Sequence, residues 1–395
     1  MTANNKEPFV ALALSGGGSR AMAFHLGCLR ALHDRKILDK VKVLSTVSGG
    51  SVIGACWAYR GEEFTAFDQH VISVLRRGLQ WDILRQAVFS GETPKILATL
   101  FWTGTLSLIL WLLSVAISPS RWFGFSILGL EDSLAALARR LPVWGSLTTA
   151  FEAAMARQLF GNRTIDQVQK PGLITIVNAC DLRTGTAFRF GSKKSGGWRY
   201  GEISGDPPTV AKAVAASAAF PLLLPPLVEN FEFEKKGRKY RDTVSLTDGG
   251  VFDNLGVAVL EPGRAKDSIF NHPVSHIISL NAGPGQFESH DRHFWWVGRV
   301  KRSFEAVHRK SQDAVYQRLH KFAATGELQG FGMIYLGQQD DRLPWTPDDL
   351  VHREQVRNYP TDFAPMSVEL LELLARRGEQ LTHIIVDRYL SDLSD

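Results

Sequence analysis

A serine stands where a chain can expose a nucleophile. In Leu44-Ser45-Thr46-Val47-Ser48-Gly49-Gly50-Ser51, a short aliphatic run from Lys42 to Val47 leads into Ser48. A helical apolar face, Val52 to Tyr59, follows it. The run reads as a buried strand, and the glycines allow a sharp bend between strand and helix. This is the setting of a nucleophile elbow, which lifts Oγ above a sheet edge at a helix N-terminus. The helix-end N–H groups then lie near any developing anion. The chemistry on offer is attack on an acyl carbonyl. The elbow pattern is Gly-x-Ser-x-Gly; Thr46 replaces its first glycine and Gly50 matches its second. Gly-Gly-Ser before a helix also serves as a plain cap, so the serine alone leaves both readings open.

Two further stretches carry suitable groups. Ser15-Gly16-Gly17-Gly18-Ser19-Arg20 joins a strand-like run, Phe9 to Leu14, to a helical pattern, Ala21 to His33. Such a loop offers bare backbone N–H groups to an anion. A phosphate cradle would end in Gly-Lys-Ser/Thr, and this loop ends in Gly-Ser-Arg. Gly16 to Ala21 meets the looser dinucleotide pattern, but no acidic ribose partner follows on a later strand. An oxyanion hole remains, for which adjacent glycine N–H groups are well suited. A tight turn without a ligand is the structural alternative. Later, Ser245-Leu246-Thr247-Asp248-Gly249-Gly250 places a carboxylate after a short strand and before two glycines. Asp253-Asn254 beyond it resembles a helix cap. His25 reads as a packed histidine, and Asp181, in Asn178 to Gly185, as a turn aspartate.

The elements that must position these groups follow from the whole chain. It has 395 residues, 45% of them hydrophobic and 22% charged, enough for a large core. The net charge of +5 suits an anionic lipid surface or nucleic acid without choosing between them. Cys28, Cys56 and Cys180 lie in apolar contexts without metal spacing, which points to a reducing compartment. Met1 to Glu7 is polar and shows no signal-peptide core. Strand-like runs at Leu173–Ala179, Thr186–Phe190 and His276–Asn281 alternate with helical patterns at Glu62–Phe89, Asp132–Leu159 and Val210–Ala219. That alternation predicts a largely parallel sheet covered on both faces. Asn230 to Val244 reads as a hairpin with a basic tip, Lys235 to Lys239. Two helical stretches, Ser367–Arg377 and Gln380–Leu390, close the chain.

Ile96 to Ser118 is the most unusual stretch, 23 residues without a charge. As a helix it would extend about 35 Å, enough to span a bilayer core. A second apolar run covers Trp122 to Leu130. If Ser48 and Asp248 share one site, a single crossing between them is ruled out. A membrane hairpin, a re-entrant or interfacial helix, and a helix buried as core or lid all remain.

Taken together the motifs resemble the patatin-like phospholipase family. The resemblance rests on Gly16-Gly17-Gly18-Ser19-Arg20, Val47-Ser48-Gly49-Gly50-Ser51, and Asp248-Gly249-Gly250 with Phe252-Asp253-Asn254, in that order, and on Ala215 to Pro221. It covers roughly residues 8–60 and 170–285. It implies a three-layer α/β fold, mostly parallel, with helices on both faces, to which this chain adds a hydrophobic helical insertion outside the shared core. One catalytic domain over 1–395 is expected, with the insertion at 90–160 and a C-terminal helical extension at 286–395. It further implies a lipid acyl hydrolase of phospholipase A or lysophospholipase type. Ser48 would be the nucleophile, Asp248 its base, and Gly16, Gly17 and Gly18 the oxyanion hole. No metal, organic cofactor or nucleic-acid partner is expected. The substrate would be a phospholipid or lysophospholipid, met at a membrane through Ile96–Leu130 with the active site on the cytoplasmic side. A non-catalytic membrane scaffold that keeps the fold is the alternative.

Overall fold

The computed structural model describes residues 8–122, 143–221, 223–263, 270, 272–285 and 296–394. Strand β1, Val10–Leu14, alternates in period two. Val10, Leu12 and Leu14 enter one core, while Ala11 and Ala13 enter a second on the opposite face. Helices α1 (Gly18–Asp34), α2 (Gly49–Tyr59) and α11 (Val368–Tyr389) cover the first face. Helix α9 (Trp296–Ala324), through Val315 and Leu319, covers the second with Leu255, Val257 and Leu260. These are the three expected layers.

The sheet is mixed, which corrects the mostly parallel expectation. Strands β10 (Gly330–Tyr335), β9 (His276–Asn281), β1, β2 (Val41–Val47) and β3 (Ile174–Asp181) run parallel in that order. From β3 onward every pairing is antiparallel, through β4 (Thr186–Gly191), β5 (Ser195–Gly197), β6 (Gly201–Ile203), β7 (Leu227–Lys235) and β8 (Arg238–Asp248). β8 then returns to β3, pairing Ala179 with Asp248, so these six strands close on themselves. Short turns such as Asp181 to Thr186 can only join antiparallel neighbours. Phe188, Phe190, Tyr200, Phe231 and Phe233 pack ring against ring along these strands.

The expected helix over Glu62–Phe89 is two helices, α3 (Phe64–Arg77) and α4 (Gln80–Phe89), divided at Gly78. Gly78 has φ of 69°, and a β-carbon there would lie 2.5 Å from the Pro365 nitrogen. The break lets the C-terminal chain pass. The charge-free stretch belongs to one helix, α5 (Glu92–Trp122). Residues 123–142, with most of the second apolar run and the start of the Asp132–Leu159 pattern, lie outside the described residues. Among the described residues no helix is long and apolar enough to cross a membrane. The described end of that pattern is α6 (Leu147–Met155).

The two tail helices are one, α11, which lies against α1. Gly27 and Gly378 sit at the crossing, where an added β-carbon would overlap the Ala375 or Phe24 carbonyl. The segment after residue 285 therefore supplies a strand, β10, and a core helix. Gly378→Ala is expected to lower stability by about 1–3 kcal/mol through overpacking, although alanine favours helices by about 1 kcal/mol. Gly104→Ala on α5, with no atom within 4 Å of the new methyl, serves as the control and should cost nothing. Urea melts of both variants test the pair.

Candidate active site

β2 ends at Val47, and α2 starts at Gly49. Ser48 between them has φ of 51° and ψ of −121°, a strained conformation for a residue with a side chain. Its backbone N–H donates to Ser217 Oγ at 3.0 Å, and Ser217 Oγ donates to the Asn178 carbonyl at 2.6 Å. Ser51 Oγ lies 2.8 Å from Ser217 Oγ and 3.0 Å from Thr46 Oγ1. The elbow is thus held from beneath by α7 (Val210–Ser217) and β3. Thr46 fits because its bulk is accommodated one turn along α2. Its methyl fills the space a β-carbon at Gly54 would need, 2.6 Å away.

The glycine loop closes over this turn. A β-carbon at Gly49 would overlap the Gly18 carbonyl oxygen, and one at Gly50 would lie 2.6 Å from the Leu14 and Ser15 carbonyls. Two backbones approach here as only glycine permits. A β-carbon at Gly16 would lie 3.1 Å from Ser48 Cβ, so the loop borders the serine directly. Gly16 itself corrects one expectation. Its N–H donates to the Asn254 carbonyl at 3.1 Å and is therefore not aimed at a ligand. Gly17 and Gly18 take positive φ, 141° and 55°, and among the described residues their N–H groups have no protein acceptor. Gly18 opens α1, so its N–H stands at a helix N-terminus.

Asp248 ends β8 beside Ala179. Its carboxylate accepts a hydrogen bond from the Gly250 N–H, at 2.7 Å, and lies beside the Ser48 side chain. Burial is the main cause that pushes its pKa up, to about 6, against the pull of those two neighbours. Ser48 and Asp248 are 8% and 4% exposed, so their pairing is shielded from water. The other serines do different work. Ser15 Oγ accepts the Ala282 N–H at 2.9 Å, and Ser51 sits in the network beneath the elbow. Asp181 accepts from Ser245 N–H, Thr184 and the Tyr200 hydroxyl, the work of a turn aspartate. His25 Nε2 contacts the Ser15 carbonyl at 3.0 Å, and burial pushes its pKa down to about 4. Asp253 caps the next turn, accepting the Leu255 and Ala258 N–H groups.

Several supports were not assigned from the sequence. Asn254 Oδ1 lies against the α-carbons of both Gly16 and Gly250, so one side chain spaces the glycine loop from the Asp248 turn. Arg20 is buried and donates to the carbonyls of Ala282 and Tyr359, both at 2.9 Å. Ser19 N–H donates to the Asp362 carbonyl at 2.8 Å. The chain near 359–363 thereby braces the start of α1. Among the described residues no cluster of His, Cys, Asp or Glu is placed to hold a metal ion.

A serine on a strand-to-helix elbow, beside a buried carboxylate and under a glycine loop, is a layout suited to acyl transfer. A family model, patatin-like phospholipase, matches residues 12–260, and the chain belongs to the patatin-like phospholipase family. Membership carries the coarse class, a hydrolase of lipid esters. Among solved structures, human GIVD cytosolic phospholipase A2 is similar at 12% identity with a TM-score of 0.51. The match covers 99% of this chain and 62% of that one. The same human protein in complex with methyl γ-linolenyl fluorophosphonate matches at 12% identity and a TM-score of 0.51, over 96% of this chain and 58% of that one. VipD from Legionella pneumophila matches at 13% identity and a TM-score of 0.41, over 97% of this chain and 67% of that one. At these identities the human phospholipase speaks for the fold alone. No curated protein sequence matches.

Proposed function

We propose that this chain is a lipid acyl hydrolase of phospholipase A or lysophospholipase type, working through a Ser48–Asp248 dyad. The Ser48 side chain beside the buried Asp248 carboxylate, beneath a loop with two N–H groups left over, carries the reading. Asp248 takes the Ser48 proton as Oγ attacks the ester carbonyl carbon. Negative charge develops on the carbonyl oxygen beside Gly17 and Gly18, whose N–H groups stabilise it by about 3 kcal/mol per donor. Asp248 then passes the proton to the departing alkoxide, leaving an acyl-enzyme on Ser48. Water attacks that ester with Asp248 again as base, freeing the fatty acid. The base must be ionised, and its pKa is raised to about 6. Activity should therefore be lost as pH falls through that value, with kcat/KM on a soluble ester rising from pH 5 and levelling above about 7. A profile flat across pH 5 to 7 would contradict the role of Asp248.

The reading also includes a membrane seat on α5, with the active site on the cytoplasmic side. Helix α5 runs antiparallel to α6. Glu92 lies near Glu152, and Thr99 Oγ1 accepts the N–H groups of Trp144 and Gly145 just before α6 begins. α6 in turn sits level with the glycine loop, since Phe151 packs on Phe363 with ring centroids 5.5 Å apart, next to Asp362. Past Thr99, α5 thus leaves the edge where Ser48 sits. Leu100, Phe101, Trp102, Leu108, Ile109 and Leu112 are all exposed on it. On α4, Trp81 and Phe89 are 72% and 82% exposed. Apolar surface on this scale marks an interaction site. Replacing 96–130 by a short Gly/Ser linker is expected to release the protein from vesicles and to cut fatty-acid release from them far more than hydrolysis of a soluble ester. Equal loss of both activities, or unchanged sedimentation with vesicles, would contradict the seat.

A further inference from the structure

We infer that the β7–β8 hairpin tip, with the β5–β6 turn fastened to it, is a docking surface for an acidic phospholipid bilayer; this deepens the membrane-seated reading above and rests on it. Residues 193–202 and 232–242 hold eight Lys or Arg and four Asp or Glu, which is +4 of the chain's net +5. The charge of the whole protein is therefore concentrated on one feature. Three of the acids are answered locally, Glu202 by Lys194 at 3.1 Å, Asp242 by Arg183 at 2.8 Å and Glu232 by Arg241 at 3.9 Å. Lys236, Arg238 and Lys239 are exposed at the tip and, among the described residues, have no acidic partner.

An aromatic ring is held beside this charge. Trp198 is 64% exposed, with the Arg199 guanidinium 4.4 Å and the Lys235 ammonium 5.9 Å from its ring centroid. Lys235 Nζ also donates to the carbonyls of Trp198 and Arg199, both at 2.6 Å, fastening the two turns together. Cations over its face order the indole without covering it. An ordered, exposed tryptophan among lysines suits the headgroup level of a bilayer, where its ring is half buried and the ammonium groups meet phosphate.

The placement agrees with the seat on α5. β8 leaves β3 at the pairing of Asp181 with Leu246, and continues beside β7 to the tip at Arg238. The hairpin thus extends beyond the end of β3, the edge at which the parallel strands present Ser48. α5 leaves the same edge. A bilayer meeting this edge would touch an apolar helix and a basic hairpin.

Sedimentation with vesicles tests this, using phosphatidylcholine alone and phosphatidylcholine mixed with phosphatidylserine. Wild type is expected to bind the acidic vesicles more tightly, with the excess lost at high salt. The triple variant Lys236→Glu, Arg238→Glu, Lys239→Glu should lose that excess, roughly a hundredfold in affinity. Its binding to neutral vesicles and its hydrolysis of a soluble ester should stay at wild-type levels. Trp198→Ala should weaken binding to both vesicle types several-fold. An acidic preference retained by the triple variant would overturn the inference, as would a wild type that binds both vesicles equally. If the triple variant loses soluble-ester hydrolysis as well, the milder pair Lys236→Gln, Lys239→Gln decides, and an unchanged preference there overturns it. Tighter binding to duplex DNA than to acidic vesicles at equal salt, lost in the variant, would give the tip to nucleic acid instead. Sedimentation needs no turnover, so a catalytically silent Ser48 leaves this outcome unaffected. Failure of the α5 seat would instead remove neutral-vesicle binding and leave the acidic preference in place.

Discussion

Ser48→Ala is expected to reduce kcat/KM on a short-chain nitrophenyl ester by a factor on the order of 10⁴ to 10⁶, the scale seen when a serine hydrolase loses its nucleophile. The protein should stay folded. Only Oγ is removed, while the N–H of residue 48 keeps its bond to Ser217 Oγ and the Asp248 carboxylate keeps the Gly250 N–H. The loss in stability should stay near 1 kcal/mol, the net worth of one hydrogen bond. The loss is therefore chemical rather than structural, and a urea melt of the same sample separates the two. Full activity in this variant would move the nucleophile elsewhere. Ser15, Ser19 and Ser51 would be next, although Ser15 and Ser51 are already engaged in the scaffold.

Asp248→Asn is expected to cost about 10²–10⁴ in kcat/KM, the range for loss of a positioned general base. The amide oxygen can still accept the Gly250 N–H, so the turn should survive, but it cannot take the serine proton. The acid limb of the pH profile should vanish along with the rate, because the group that titrates near 6 is gone. Asp181→Asn provides the contrast. Asp181 is buried and holds Thr184, Tyr200 and the Ser245 N–H. Its variant should lose stability and leave kcat on the surviving folded fraction unchanged. The opposite pattern, with Asp181 lowering kcat and Asp248 not, would reverse the assignment of the two carboxylates.

What the sequence made legible here is local. Ser48, the glycine loop and Asp248-Gly249-Gly250 each sit at a strand end, and strand-to-turn signals need only a few neighbouring residues. The alternation of Val10, Leu12 and Leu14 with Ala11 and Ala13 likewise announces a sheet buried on both sides. What escaped depends on chain segments that meet across long separations. Gly78 looks like a tolerated helix glycine until the chain at Pro365 crosses it. Arg377, at the end of one expected helical stretch, is fully buried and donates to the carbonyls of Leu336, Gln338 and Val351. Asn254 reads as a cap, and its spacing role exists only once Gly16 and Gly250 are brought together. The parallel expectation failed because β4 to β8 are linked mainly by short turns, while the alternation rule weighs helices between strands. Gly16, Gly17 and Gly18 look alike in the loop motif, and only the Asn254 carbonyl, which accepts the Gly16 N–H, distinguishes the first.

The dyad itself is tested most directly by covalent labelling with an alkyl fluorophosphonate, followed by peptide mass mapping. An activated serine attacks phosphorus and expels fluoride, and its proton must be removed as it does so. The expected result is one equivalent of label on Ser48 in the wild type and very slow labelling in Asp248→Asn. Absence of label, label on another serine, or equal labelling rates in the two proteins would contradict a Ser48–Asp248 dyad.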